Sequence, residues 1–105
     1  MKEEKIQQMQ ILEQNLQNLL LQKQAFQMEL SETQSALKEI ENSGEEVFKI
    51  IGQLMIKTDK SKIKQELSNK EKILDLRTKA IEKQEASLMA QLDKIREEVV
   101  KTMNK

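Results

Sequence analysis

The sequence predicts a mainly α protein: a long antiparallel two-helix coiled coil with one short β-hairpin at the bend. Three observations predict it. Apolar residues recur three and four places apart through the N-terminal part of the chain. A column of apolar residues spaced by seven runs through the C-terminal part. Between them lies a short, partly β-branched stretch broken by a Gly-Gln pair. Composition agrees. Of 105 residues 34% are charged and 2% aromatic, with 2 Gly and no Pro, Cys, His or Trp. Chains rich in Leu, Gln, Glu and Lys with so few breakers form long helices. The boundaries expected are helix 1 over 1–43, the hairpin over 44–59 and helix 2 over 60–105, all within one domain.

In helix 1 the column is Met9, Leu12, Leu16, Leu19, Phe26, Leu30, Leu37 and Ile40, interrupted by Lys23 and Thr33. Alternate steps of three and four sustained this far are the 3.5-residue period of a coiled coil, with Met9 at position a and Leu12 at d. Gly44 follows Glu41-Asn42-Ser43 and is expected to end the helix in the left-handed conformation that glycine accepts most easily.

Helix 2 begins near Asp59 or Ser61, both acceptable N-caps. Its seam is Leu67, Leu74, Ile81, Leu88 and Ile95; the alternate column is mostly polar until Leu92 and Val99 join it. The two helices would be roughly 60 and 65 Å long at about 1.5 Å per residue, so a compact bend makes them a matched pair. Pairing residue i with 104 − i sets Met9 on Ile95, Leu12 on Leu92, Leu16 on Leu88, Leu30 on Leu74 and Leu37 on Leu67. The same register sets Lys23 on Ile81, Leu19 on Glu85, Phe26 on Thr78 and Thr33 on Glu71, which leaves the middle of the pair weaker. A core Lys either specifies register or carries its ammonium out to water; the second is the commoner behaviour.

The bend reads Val47-Phe48-Lys49-Ile50-Ile51, Gly52-Gln53, then Leu54-Met55-Ile56-Lys57-Thr58. Two short runs about a Gly-X pair predict a tight β-hairpin, the competing reading being an apolar connector between helices. A lone two-stranded hairpin is marginal in water. This one carries seven apolar side chains (Val47, Phe48, Ile50, Ile51, Leu54, Met55 and Ile56) and two unpaired edges. Assembly, with hairpins of several chains completing one sheet or barrel, meets both demands.

Several apolar residues fall off the seam: Ile6, Ile11, Leu20 and Leu21 in helix 1, and Met89, Val100 and Met103 in helix 2. They gather in the outer halves of both helices, although Met28, Ile73 and Leu76 lie nearer the bend. A two-helix hairpin offers no second layer to cover such a cluster, and Met suits promiscuous contact. Contact with partner polypeptides is one reading; fraying ends or packing between subunits is the other. The many Gln of helix 1 read first as a solvated face, the other reading being a surface of uncharged hydrogen-bonding groups that meets polypeptide backbones.

Charge and residue types exclude other classes. Lys and Arg number 18, as do Asp and Glu. Residues 1–43 hold four Lys against seven Glu, and 63–105 ten basic against eight acidic residues. Neither makes the basic stripe that nucleic acid binding needs. No apolar run approaches a membrane span, and no signal peptide opens the chain. Without Cys, a reducing cytoplasmic setting is expected. No His, no Cys and no G-x-x-x-x-G-K-S/T loop supports catalysis, and exposed carboxylates lack the pKa shifts that acid–base work requires. No cofactor or metal is expected.

Helix, hairpin and matching helix, with Val47-Phe48-Lys49-Ile50-Ile51-Gly52-Gln53-Leu54-Met55-Ile56 at the bend, resemble the β-class subunit of the prefoldin family, in its archaeal form. The stretch Leu74-Asp75-Leu76-Arg77-Thr78-Lys79-Ala80-Ile81 adds to the resemblance. It implies a hexamer of two α-class and four β-class subunits whose hairpins form a β-barrel platform. It also implies ATP-independent capture of unfolded proteins at the coiled-coil tips and their transfer to a group II chaperonin. By that resemblance Val47, Phe48, Ile50, Ile51, Leu54, Met55 and Ile56 build the platform, while the start of helix 1 and the end of helix 2 form the tips. The alternative function is a structural coiled-coil spacer without chaperone activity.

Overall fold

The computed structural model describes residues 2–103. They form α1 (Lys2–Glu41), β1 (Glu46–Ile51), β2 (Leu54–Asp59) and α2 (Lys60–Met103). The ends expected for the helices at Met1, Asn104 and Lys105 lie outside the described residues. Contacts group the chain into two units: a terminal unit of 1–25 with 78–105, and a hairpin unit of 26–77. Both helices contribute to each unit.

α1 opens with Glu3 and Glu4 and has Lys38 in its last turn, charges that complement the helix dipole. Its C-terminus differs from expectation. Among the described residues the only positive φ belongs to Gly52, so Gly44 does not supply a left-handed cap. The helix instead tightens: Asn42 N donates to Glu39 O at 3.2 Å and Ser43 N to Ile40 O at 3.1 Å. The Ser43 hydroxyl donates to Ile40 O at 2.8 Å, and Lys60 Nζ reaches Glu41 O at 3.4 Å and Ser43 O at 3.0 Å. Orphan carbonyls need donors, and any local donor serves. A serine and a cation arriving from α2 replace the glycine cap.

In the terminal unit the helical segments run antiparallel. Lys5 pairs with Glu98 at 3.3 Å, Glu13 with Arg96 at 3.4 Å and Lys23 with Glu85 at 3.2 Å, so numbers rise along α1 as they fall along α2. Met9, Leu12, Leu16 and Leu19 are half-buried against buried Ile81, Leu92 and Val99 and half-buried Leu88 and Ile95. The alternate column of α2 is therefore as enclosed as the first, contrary to the single-column expectation. Its polar members are Thr78, which is buried, and Glu85, which is half-buried.

Lys23 finds a partner for its ammonium on the facing helix. Its side chain is 24% exposed and bonded to Glu85, itself 21% exposed. In the expected register Lys23 and Glu85 spoil adjacent layers. Side chains lean toward their own helix N-terminus, so on antiparallel helices these two lean toward one another. Two separate flaws become one ion pair.

In the hairpin unit, α1 residues Phe26, Leu30, Leu37 and Ile40 are half-buried, as are Ile63, Leu67 and Glu71 of α2, around buried Leu74 and Thr33. Thr33 interrupts the apolar column yet is only 3% exposed. Its hydroxyl donates to Glu29 O at 2.7 Å within the same helix, so burying it leaves no donor unsatisfied. The Arg77 guanidinium lies 6.0 Å from the Phe26 ring centroid, at the outer limit of a cation–π contact.

The hairpin pairs Glu46 with Asp59 through to Ile51 with Leu54, antiparallel, leaving Gly52 and Gln53 as a two-residue turn. Gly52 has φ 60° and Gln53 is not in the positive region. That is the arrangement of a type II′ turn, whose twist suits the strands; type I′ would need positive φ at both residues.

Candidate interaction surfaces

The hairpin forms a sheet of two strands, so each strand has an outer edge without a strand partner among the described residues. Alternation places Phe48, Ile50 and Met55 on one face and Val47, Ile51, Leu54 and Ile56 on the other. Both faces remain largely exposed. Phe48, Ile50, Ile51, Leu54, Met55 and Ile56 are each between 43% and 69% exposed, and Val47 is half-buried. Phe48 reaches the helices, where it lines an apolar cleft with Ala36, Ile40, Ile63 and Leu67. The hairpin's lysines are paired inside the chain: Lys57 Nζ with Glu46 at 2.8 Å across the strands, and Lys49 Nζ with Glu66 of α2 at 2.9 Å.

The second surface is on the terminal unit. Ile6, Ile11, Leu20, Leu21, Met89, Val100 and Met103 are all exposed, from 37% at Ile6 to 64% at Met103. The structure brings two of them together. Leu20 and Met89 line a cleft of about 310 Å³ whose floor is Leu16 and Leu92 and whose rim holds Glu13 and Arg96. Ile6, Ile11, Leu21, Val100 and Met103 lie outside that cleft. Glu13 and Arg96 went unrecognised as its rim, because the pairing of e positions shows only after both helices are placed in register. Met28, Ile73 and Leu76, in the hairpin unit, are also exposed.

The described residues hold no group of three or more His, Cys, Asp or Glu placed to bind a metal ion. No helix among them is long and apolar enough to cross a membrane.

Two long helices joined by one exposed apolar hairpin define a class of protein built to be completed by other chains. Residues 3–105 match the prefoldin subunit family, Prefoldin_2. The chain is 38% identical over 92 residues to prefoldin subunit beta of Pyrobaculum aerophilum, covering 86% of this chain and 73% of that protein. It is 39% identical over 89 residues to prefoldin subunit beta of Thermococcus onnurineus, covering 83% and 77%. The crystal structure of the prefoldin beta subunit from Thermococcus strain KS-1 superposes with a TM-score of 0.91 at 33% identity, covering 99% of this chain and 93% of that one. The chain belongs to the prefoldin family, as a β-class subunit of archaeal type. Prefoldin subunits are chaperones that assemble with one another, and this one has the helices and hairpin of that class.

Proposed function

We propose that the chain is one of four β-class subunits joined to two α-class subunits in a cytoplasmic hexamer. Hairpins of neighbouring subunits pair edge to edge into a β-barrel and bury Val47, Phe48, Ile50, Ile51, Leu54, Met55 and Ile56. The terminal unit is the client-holding part. There Ile6, Ile11, Leu20, Leu21, Met89, Val100 and Met103 hold unfolded proteins without ATP and release them to a group II chaperonin.

The observation that carries this reading is the apolar hairpin, open on both faces and both edges. Burying one Ile, Leu, Phe or Met is worth about 1.5–3 kcal/mol, so six such side chains in each subunit supply a large drive to assemble. At the tips, the reading rests on apolar groups that a two-helix fold cannot cover.

The test is an aggregation assay. The chain, alone and with an α-class partner, is mixed with a chemically unfolded protein that precipitates on dilution. Assembled wild type keeps the client in solution. Leu20→Ser with Leu21→Ser keeps the native mass of the hexamer and protects the client several-fold less. Equal protection by this variant removes those two residues from the client surface. No protection by wild type leaves the chain as a structural spacer.

A further inference from the structure

The two flanks of the coiled coil in the terminal unit differ in chemistry. With Met9 and Leu92 at position a, one flank carries the e residues Glu13, Leu20, Met89 and Arg96, which are the ionic and apolar cleft already described. The other flank carries the g residues. These are Gln8, Asn15 and Gln22 on α1 and Gln84, Gln91 and Glu98 on α2, carboxamides at every place but the last. Positions e and g of coiled coils are commonly Glu and Lys, whose cross-helix pairs set partner and orientation. Here the cross-helix ion pairs are Lys23–Glu85 between core positions, Glu13–Arg96 between e positions, and Lys5–Glu98 near the termini, so the g flank from Asn15 to Gln22 carries none.

The g flank is a groove of about 440 Å³. Leu19 and Leu88 form its floor. Asn15, Asn18 and Gln22 make one wall, and Gln84 and Ser87 the other. No charged side chain lines it, in a chain with 34% charged residues. Each carboxamide offers both donors and an acceptor, as each peptide unit does. From Asn15 to Gln22 the helix rises about 10 Å, the span of roughly three residues of extended chain. The groove thus matches a short extended segment on three counts: paired donor and acceptor chemistry along the walls, an apolar floor for one side chain, and no formal charge.

We propose that this groove binds an extended, uncharged segment of unfolded polypeptide, hydrogen-bonding its backbone through Asn15, Gln22 and Gln84 while Leu19 and Leu88 take an apolar side chain. The proposal rests on the reading of the terminal unit as the client-holding part, and gives that part a mode of recognition besides apolar contact. Backbone contacts are blind to client sequence.

The experiment uses the full chain assembled with α-class subunits and two fluorescent peptides of identical uncharged, Leu-containing sequence. One is N-methylated at alternate backbone nitrogens, which removes donors and leaves the side chains unchanged. Fluorescence anisotropy is expected to show wild type binding the unmethylated peptide about tenfold more tightly, the effect of one or two neutral hydrogen bonds. Gln22→Ala with Gln84→Ala abolishes that preference. Gln10→Ala with Gln24→Ala, at exposed positions outside the groove, preserves it. Far-UV circular dichroism checks that both variants keep wild-type helicity. Equal binding of both peptides by wild type, or equal effects of the two variants, overturns the groove and leaves client capture standing. Failure of wild type to bind either peptide overturns both.

Discussion

In the terminal unit Ile81, Leu92 and Val99 are buried between two helices, whereas in the hairpin unit Leu74 is the only large apolar side chain so enclosed among the described residues. Phe48, Ile50, Leu54 and Met55, by contrast, are more than half exposed. The same residue types have opposite fates because two helices can bury a stripe on each other, while two strands cannot bury both of their faces. One region buries its seam within the chain, though Ile6, Ile11, Leu20, Leu21, Met89, Val100 and Met103 stay exposed beside it. The other leaves most of its strand side chains exposed, and substitutions in the two regions should therefore fail in different ways.

The largest effect is expected at the hairpin. Ile50→Asp with Leu54→Asp removes two apolar contributions of about 1.5–3 kcal/mol each and asks an interface to bury carboxylates. In a mixture with α-class subunits, native mass should fall from the assembled complex to free chains while helicity persists. A complex of unchanged mass would show that the hairpin is not the joint. Next comes Leu92→Ala, which should cost about 2–5 kcal/mol because the site is almost fully enclosed. Urea denaturation of the chain reads this directly, and a loss below about 1 kcal/mol would mean the seam collapses onto the gap.

Smaller effects test how the seam tolerates polar groups. Lys23→Met strands Glu85 in a half-buried layer and should cost about 1–2 kcal/mol, less than a fully buried pair. Adding Glu85→Met should recover most of that loss. A double-mutant cycle with no coupling would return Lys23 to the status of a solvated arm. Gly52→Ala should cost about 1 kcal/mol, since the site has open space and only the positive φ opposes a side chain. Thermal melting of the assembled complex measures it, and an unchanged midpoint would mean that the turn relaxes to another type.

The architecture was legible in the sequence because its signals are periodic. The steps from Met9 to Ile40 and from Leu67 to Ile95 mark both helices, and Gly52-Gln53 between β-branched runs marks the turn. What escaped were outcomes that depend on two residues meeting. Lys23 and Glu85 each read as a defect until the antiparallel lean of their side chains joined them. Gly44 read as the end of α1, but Ser43 and a lysine 19 positions beyond Glu41 satisfy those carbonyls first. Thr33 read as an interruption because its hydroxyl was scored as polar, although a helix supplies its own acceptor four residues back. The carboxamides of helix 1 are exposed, as a solvated face requires, and only the pairing of the helices sets Gln84 and Ser87 across from Asn15 and Gln22.

The pairing of Lys49 and Lys57 within the chain has one more consequence. A joint closed over this hairpin need not strip its lysines from one set of partners and find them another, because their carboxylates travel with them. Such a joint answers weakly to ionic strength, which screens exposed charges within about 10 Å at 0.1 M salt. It answers more to temperature, because apolar burial weakens on cooling. The proposed platform would be held by a force that fades in the cold and is little affected by brine.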